Sequence, residues 1–285
     1  MERILVAGGT GHLGREVVAE LKRRGRWVRV LTRHPERVDF DVDDVVVGDL
    51  VDAASLQGAC DGVEAVFSAA GASIDLGLKR GSPGFEKVDY EGNTNLVVAA
   101  KAARVKKMVY VSVFSTPAYE RLSYVYTHMM VADTLAHTGL DYAVIEPTGF
   151  FSAFAVLPRM VRLGIAPLIG TGEARTNPIH EKDLALVCAD AIDSGQGAIP
   201  VGGPEVLTRR AIFEKAFEAV GKKPRFVRIP NGLVAFNRWM ISGMDPRLSD
   251  LIAFFQAVNQ TDVVAPAQGN LRLGDYFRGL VARQK

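Results

Sequence analysis

The chain has few of the residues that build metal centres or disulfide frameworks. Its 285 residues include two cysteines, Cys60 and Cys188, and five scattered histidines. The sequence has no His-Glu-x-x-His motif and no Cys/His cluster with ligand spacing. We therefore expect no metal site. The two distant thiols suit a reducing compartment, and the cytoplasm is the expected location.

Long apolar runs and an excess of one charge are also missing. A membrane-spanning helix needs about 20 apolar residues, whereas the best candidate, 150–170, is interrupted by Arg159 and Arg162. The 34 basic and 32 acidic residues leave a net charge of +2, which gives no electrostatic case for a nucleic-acid partner. A Gly-x-Ser-x-Gly elbow is absent, which argues against a serine hydrolase.

The strongest functional signal is glycine-rich and lies at the N-terminus. The apolar run 4–7 passes through a turn with four glycines into a helical pattern. Glycine permits the tight turn and the close backbone approach, and the N–H groups of the new helix face an anion. We predict a dinucleotide pyrophosphate site here, with a purely structural glycine turn as the alternative. The predicted contacts are Gly8, Thr10, Gly11, His12, Leu13 and Gly14.

The first two hundred residues alternate β-branched runs with helical patterns. Strands are predicted at 4–7, 27–31, 45–47, 65–68, 108–112, 142–146 and 198–201. Helices are predicted near 12–24, 53–60, 88–103, 123–138 and 181–193. This alternation is typical of an α/β fold with a Rossmann-type, doubly wound parallel sheet of about seven strands.

The alternation stops after residue 149 and again after residue 203. We predict a nucleotide-binding core at 1–149 and 177–203, and a small, mainly helical substrate cap at 150–176 and 204–285. Apolar residues of the cap form either a substrate-facing wall or ordinary core. These residues are Phe150, Phe151, Phe154, Leu157 and Met160.

The end of the second strand bears on the choice of dinucleotide. An acidic residue there bonds the ribose 2′-hydroxyl of NAD, whereas an arginine suits the 2′-phosphate of NADP. This chain has Leu31-Thr32-Arg33. Because the guanidinium of Arg33 is a fork-like phosphate donor, we predict NADP in preference to NAD. The alternative is that Arg33 is a solvated loop residue.

Other predicted cofactor contacts lie where the third and fourth strands end. Asp49 and Leu50 follow the third strand, and Asp49 either accepts from the adenine amino group or caps a following helix. The small residues after the fourth strand leave room for a ligand. They are Ala69, Ala70 and Gly71.

In these motifs the chain resembles the short-chain dehydrogenase/reductase superfamily, specifically its atypical, NmrA-like branch of NAD(P)H-binding proteins. The resemblance covers nearly the whole length. The motifs that carry it lie at 8–14, 48–50, 89–95, 111–112, 139–142, 147–151, 180 and 183–185.

The resemblance implies a catalytic set of Ser112, Tyr124 and His128. Active members of the superfamily use a serine to polarise a carbonyl, a tyrosine to transfer the proton, and a lysine to bind the nicotinamide ribose and lower the tyrosine pKa. His128 stands at the lysine position. A neutral imidazole can donate to a ribose hydroxyl but does not stabilise a tyrosinate as an ammonium does.

The resemblance also implies that the loop beside the nicotinamide contains Pro147, Thr148 and Phe150. Lys87 and Asn93 could enter the same cleft, although helix capping explains Asn93 as well. His180 and Asp183 resemble a structural pair at a helix entry, and we expect no catalytic role for them.

Two functions remain open from the sequence. The first is an NADPH-dependent oxidoreductase that transfers hydride to a carbonyl, quinone or activated double bond of a small apolar substrate. The second is a catalytically weak or inactive NADP-binding sensor or assembly protein, in which cofactor occupancy orders the loop 71–84 and changes contacts with a protein partner. Oligomerisation is compatible with either function.

Overall fold

The computed structural model describes residues 2–71, 84–243 and 245–283. Its contacts divide the chain into two compact units. The first unit comprises Met1–Val113, Ser123–Glu146 and Leu184–Ile199. The second unit comprises Phe114–Leu122, Pro147–Asp183 and Pro200–Lys285.

These units differ from the predicted core and cap in four short segments, 114–122, 147–149, 177–183 and 200–203, which belong to the second unit. Backbone hydrogen bonds explain part of the difference. The Thr148 N–H donates to the Val201 carbonyl at 3.0 Å. Segments 147–149 and 200–203 therefore pair with each other, and both belong to the second unit.

The strands lie where β-branched and apolar residues cluster. They are β1 Arg3–Ala7, β2 Trp27–Thr32, β3 Asp44–Val47, β4 Ala65–Ser68, β5 Lys107–Val111, β6 Asp141–Pro147, β7 Ala166–Ile169, β8 Arg175–Thr176, β9 Gly197–Val201, β10 Leu207–Thr208 and β11 Phe226–Ile229. All seven predicted strands are found, with ends that shift by at most one residue.

A seven-stranded sheet in the order β3-β2-β1-β4-β5-β6-β9 confirms the predicted fold class. β1 pairs in parallel with β2 and β4, and the pairs β2–β3, β4–β5 and β5–β6 are also parallel. The chain order reverses between β1 and β4, so the carboxyl ends of these two strands border the crevice where ligands of open α/β sheets bind.

The helices connect these strands or build the second unit. They are α1 His12–Arg23, α2 Asn93–Ala102, α3 Ser123–Ala136, α4 Leu157–Met160, α5 Glu181–Ser194, α6 Arg209–Ala219, α7 Asn231–Ser242, α8 Pro246–Val258 and α9 Leu273–Ala282. A 3-10 helix, Ala53–Leu56, stands where a longer helix was predicted, and a π-helix, Glu86–Gly92, precedes α2. No helix in the described parts is long and apolar enough to cross a bilayer.

The second unit is mainly helical, with two small sheets that the sequence pattern did not predict. β7 pairs in parallel with β11, and β8 pairs antiparallel with β10. Phe151 and Leu157 are buried in the core of this unit, where Phe154 and Met160 pack against them. These four side chains are therefore core residues, and the substrate-wall interpretation loses their support.

Candidate functional site

The turn between β1 and α1 depends on two glycines. Gly8 has φ +80°, which side chains rarely adopt, and a Cβ there would lie 2.8 Å from the Ala69 carbonyl carbon. A Cβ at Gly14 would lie 2.1 Å from the Gly8 carbonyl oxygen. Any side chain at Gly14 therefore forces the turn and the helix apart. The Gly11 N–H closes the turn by donating to that oxygen at 3.0 Å.

The first turn of α1 is built to receive an anion. Its N-cap is Gly11, which supplies no side-chain cap, and the first turn contains no acidic residue. The exposed His12 begins the helix, while Leu13 and Gly14 are buried. The backbone N–H groups and the positive end of the helix dipole are thus left for a ligand, and the residues present fit a dinucleotide pyrophosphate.

Small residues keep the end of β4 close to this turn. The Ala69 N–H donates to the Ala7 carbonyl at 3.1 Å, and Ala70 is half-buried. A Cβ at Gly71 would lie 2.5 Å from Oδ1 of Asp89. Bulkier side chains in this segment would fill the crevice beside the turn. Residues 72–83, which make up most of the predicted loop 71–84, lie outside the described part of the chain.

Asn93 is a structural clamp rather than a cleft residue. It is fully buried, and its Oδ1 accepts from Ser68 Oγ at 2.6 Å. Its Nδ2 donates to the carbonyls of Ala70 at 3.0 Å and Asp89 at 2.8 Å. The side chain thereby ties α2 to the end of β4. Lys87, the other residue suggested for the cleft, is exposed on the π-helix.

Arg33 and Asp49 meet at the carboxyl edge of β2 and β3. Nη1 of Arg33 lies 3.6 Å from Oδ2 of Asp49, and the Arg33 side chain is 62% exposed. Oδ1 of Asp49 accepts from the Val51 N–H at 3.1 Å. The helix that follows is capped by Asp52, which accepts from the Ala54 N–H. Asp52 is therefore the N-cap of that helix, whereas Asp49 bonds the backbone of the turn before it. Leu50 is half-buried beside it.

The three residues implied as a catalytic set all lie in the first unit. Ser112 directly follows β5, is 7% exposed, and its N–H donates to the Ile145 carbonyl at 2.8 Å. Tyr124 and His128 lie one turn apart on α3, with ring centroids 4.8 Å apart in an edge-to-face arrangement. The ring of Phe85 packs against Tyr124 at 5.2 Å. The helix therefore presents the tyrosine and the histidine together, as the i, i+4 spacing predicts.

A tyrosine that the sequence argument missed fixes the ring of His128. The hydroxyl of Tyr110, on β5, is hydrogen-bonded to Nδ1 of His128, and both side chains are buried. Burial, with smaller contributions from Asp89 and Tyr124, raises the pKa of Tyr110 well above its ordinary value. Tyr110 therefore keeps its proton. We assign its hydroxyl as the donor to Nδ1, with the proton of the neutral His128 ring on Nε2, because Nε2 is the nitrogen that lies nearer the Asp89 carboxylate, at 3.9 Å.

Burial also sets the protonation states of His128 and Tyr124. It lowers the pKa of His128 to about 4, so the ring is neutral near pH 7. Burial, and then the carboxylate of Asp89, raises the pKa of Tyr124 above its ordinary value. Nε2 of His128 lies 3.9 Å from Oδ1 of Asp89 and has no hydrogen-bond partner within the described ranges. Tyr124 therefore holds its proton, and a buried donor on His128 is left for a ligand hydroxyl.

Asp89 is the second residue that sequence reasoning did not assign. It lies in the π-helix with a fully buried side chain. Its signal in the sequence was weak, because an aspartate at a helix entry normally reads as a cap. Tyr110 was hidden for a similar reason, since an aromatic residue in a strand normally reads as core.

The three residues of the predicted nicotinamide loop lie in the second unit. Oγ1 of Thr148 donates to the Asn177 carbonyl at 2.6 Å. The carbonyl of Pro147 accepts from the Phe114 N–H at 3.0 Å. Phe150 bridges to Ile179. These bonds hold the loop in an extended conformation within that unit.

His180 and Asp183 make separate structural contacts within the second unit. Oδ2 of Asp183 accepts from the N–H groups of Asn270 and Leu271, each at 2.9 Å. The ring of His180 packs between Phe151 and Tyr276, with centroids 5.4 and 5.5 Å away. Both side chains therefore organise the second unit.

Comparison with known sequences identifies the family. A family model described as NAD(P)H-binding matches residues 8–195. The chain is 28% identical over 276 residues to the chloroplastic divinyl chlorophyllide a 8-vinyl-reductase of Zea mays, which covers 88% of this chain and 68% of that protein. It is 26% identical over 245 residues to the photosystem II assembly factor Ycf39 of Synechocystis sp., covering 83% of this chain and 73% of the relative.

Solved structures share the fold. An NADPH-dependent quinone oxidoreductase from Escherichia coli, complexed with NADPH, superposes with a TM-score of 0.77 at 20% identity, covering 98% of this chain and 99% of that chain. A nucleoside-diphosphate-sugar epimerase from Staphylococcus aureus gives 0.78 at 17% identity, covering 98% and 100%. With the glycine-rich turn, the sheet order and the family match in agreement, this chain belongs to the NAD(P)H-binding family of atypical short-chain dehydrogenases/reductases.

Proposed function

We propose that this protein is an NADPH-dependent reductase that acts on an activated carbon–carbon double bond or a carbonyl of a small apolar substrate. The observation that carries the proposal is the protonated Tyr124 held against the neutral His128 in the unit that contains the phosphate turn. Bound NADPH supplies a hydride. Side chains of this chain would donate the proton and orient the substrate.

The charge state of the site favours reduction over alcohol oxidation. An alcohol dehydrogenase needs a base, and the superfamily lysine supplies the positive charge that makes a tyrosinate accessible. Here the pKa of Tyr124 is raised and that of His128 is lowered to about 4. Tyr124 therefore carries its proton at neutral pH, so it is available as a weak acid but not as a base.

The raised pKa of Tyr124 also narrows the substrate class. A weak acid protonates only a strong base, and hydride addition to an enone or a ketone leaves an enolate or an alkoxide. A reduced quinone is about as acidic as a phenol, so it gains little from this acid. Relatives named 8-vinyl-reductases support a double-bond substrate. Ser112, which follows β5, is proposed to orient the accepting group.

The cofactor contacts are proposed from the same edge of the sheet. The turn from Gly8 to Gly14, with Thr10, His12 and Leu13, would hold the pyrophosphate. Asp49 and Leu50 would contact the adenine, and Ala69, Ala70 and Gly71 would line the crevice. Nε2–H of His128 would donate to a nicotinamide ribose hydroxyl. Pro147, Thr148 and Phe150 are proposed to contact the nicotinamide.

NADPH is proposed in preference to NADH. The support is Arg33, which is 62% exposed at the end of β2 and 3.6 Å from its nearest carboxylate. A ribose 2′-phosphate would offer it a stronger, charge-assisted partner than that weak surface pair.

The experiment is NADPH consumption against three substrate classes, namely enones, ketones and quinones, with product identification. We expect oxidation of NADPH with the first two classes and saturated or alcohol products. Tight cofactor binding without consumption in any class would overturn the proposal. That result would favour the assembly function, which similarity to photosystem II assembly factors supports.

A further inference from the structure

Two neighbouring segments of the second unit carry positive charge and no negative charge. Residues 156–170 and 219–230 contain no aspartate or glutamate. Their basic residues are Arg159, Arg162, Lys222, Lys223, Arg225 and Arg228. The chain as a whole has a net charge of only +2. These two segments therefore carry positive charge without any carboxylate of their own.

Strand pairing brings the two segments together. β7 and β11 are parallel, and Pro167 lies opposite Val227. The Ala166 N–H donates to the Arg225 carbonyl at 2.9 Å. Ala166 and Leu168 are buried, whereas Ile165 and Pro167 alternate with them and are exposed. One face of this small sheet thus packs on the core and the other carries apolar side chains outward.

A turn adds the most exposed large apolar side chain of this region. Gly164, with φ +82°, ends the 3-10 helix Val161–Leu163. Leu163 is 86% exposed, Ile165 is 50% exposed and Val227 is 55% exposed. Large apolar side chains grouped on a surface mark a site of interaction with another molecule or with a membrane. We call Leu163, Ile165, Pro167 and Val227, with Lys222, Lys223 and Arg225 beside them, the β7–β11 patch.

The cations of the patch face solvent rather than local carboxylates. Lys222, Lys223 and Arg225 are all exposed, and none forms an ion pair within the described parts of the chain. The carboxylates that border the two segments are engaged elsewhere. Glu173 lies 3.7 Å from Arg210, and Glu218 lies 3.6 Å from Arg278. The patch therefore presents uncompensated positive charge beside apolar side chains.

We infer that the β7–β11 patch docks on an anionic lipid surface. Lysine and arginine are attracted to negatively charged headgroups, and neighbouring apolar side chains gain free energy by entering the boundary between headgroups and acyl chains. A nucleic acid would use the cations but gives no role to Leu163 and Ile165. A protein interface depletes lysine at its centre, whereas two lysines adjoin this patch. The inference does not depend on the proposed reductase activity.

The test is co-sedimentation of the full chain with vesicles of phosphatidylcholine and phosphatidylglycerol, compared with vesicles of phosphatidylcholine alone. We expect binding to the anionic vesicles only, weakened by salt. Lys222→Gln with Lys223→Gln should weaken binding roughly fivefold for each charge removed. Leu163→Ser with Ile165→Ser should also weaken it. All four substituted residues are exposed, so the thermal unfolding temperature of each variant should stay near that of the parent protein.

The matched control lies in the first unit. Val98 is 63% exposed on α2, and Lys101 is exposed on the same helix. Val98→Ser with Lys101→Gln therefore removes an exposed apolar side chain and a positive charge from a surface outside the patch. This variant should bind as the parent does. Equal binding by all variants, or no binding to anionic vesicles, would overturn the inference. Competition by duplex DNA, together with unchanged binding by the apolar variant, would also overturn it in favour of a nucleic-acid surface.

A spectroscopic readout tests insertion directly. The chain's two native cysteines are buried, so Ile165→Cys supplies an accessible thiol for an environment-sensitive fluorophore. Its emission should shift to the blue when anionic vesicles are added. The same label on Val98→Cys should not shift. A label at residue 165 that stays in a water-like environment while the protein sediments with vesicles would contradict docking through this patch.

Discussion

The hydroxyl of Tyr110 on β5 is hydrogen-bonded to Nδ1 of His128 on α3, and with the hydroxyl assigned as the donor this bond sets the tautomer of the histidine. Because Nδ1 is occupied as an acceptor, the ring proton lies on Nε2, the nitrogen that lies 3.9 Å from the Asp89 carboxylate. The histidine can therefore act as a neutral donor. It cannot supply the positive charge of an ammonium at neutral pH.

Tyr110→Phe should disturb this arrangement while keeping the aromatic ring. The substitution leaves Nδ1 of His128 buried without its donor, which we expect to cost about 1–3 kcal/mol of unfolding free energy. Nitrogen NMR of the histidine ring should show loss of the single Nε2–H tautomer. Tyr142→Phe on β6, a partly buried tyrosine of the same sheet, is the control. An unchanged His128 spectrum in Tyr110→Phe would contradict the tautomer assignment.

The stability of the protein should fall as the pH drops from about 6.5 to about 4. Burial lowers the pKa of His128 to about 4 in the folded protein, whereas the unfolded chain has the ordinary value of about 6.5. In this window the unfolded state binds the extra proton, so acid favours unfolding by up to about 3 kcal/mol. Urea unfolding at several pH values measures the effect. In His128→Gln this part of the pH dependence should disappear, and its persistence would show that other groups cause it.

Gly14→Ala should abolish cofactor binding. The added Cβ would lie 2.1 Å from the Gly8 carbonyl oxygen, so the turn that precedes α1 must shift. We expect the Kd for NADPH to rise by at least about two orders of magnitude, because the N–H groups that face the pyrophosphate move with the turn. Calorimetric titration measures it. Gly279→Ala in α9 is the control, because its Cβ meets nothing within 4 Å and it should stabilise the helix slightly.

Arg33→Ser should reduce the preference for NADPH over NADH. Loss of a charge-assisted bond to the 2′-phosphate should weaken NADPH binding by about tenfold or more and leave NADH binding nearly unchanged. Parallel titrations with both cofactors give the ratio. Lys106→Ser removes the same charge from an exposed pair with Glu64 at the start of β5 and should leave the ratio intact. If NADH binds the parent protein as tightly as NADPH, the assignment of Arg33 fails.

The sequence was sufficient for the fold and for the glycine-rich turn before α1, because both depend on local patterns. Strand and helix periods, and glycines at fixed spacing, are properties of short segments. Helix ends beside the crevice were less accurate. The predicted helix 88–103 starts as the π-helix Glu86–Gly92, in which Asp89 is buried. A single sequence gives no signal for that register change.

The polar environment of His128 could not be predicted for a different reason. Tyr110, Asp89 and His128 come from a strand, a π-helix and an α-helix that are far apart in sequence. Their pKa values and hydrogen bonds depend on how those elements pack, and burial is the largest cause of the shift at His128. Sequence reasoning predicted that His128 takes the position of the superfamily's lysine. The structure adds the tautomer, the neutral charge and the reason that Tyr124 keeps its proton.

The most direct measurement is NADPH oxidation with an enone substrate by the parent protein, Tyr124→Phe and Tyr126→Phe. Tyr126 lies on the same helix but is 53% exposed, so it controls for loss of a hydroxyl from α3. We expect Tyr124→Phe to lower kcat by about 10²–10⁴-fold with little change in NADPH affinity, and Tyr126→Phe to behave as the parent. Equal turnover by Tyr124→Phe, or no turnover by the parent with any substrate class, would contradict the proposal.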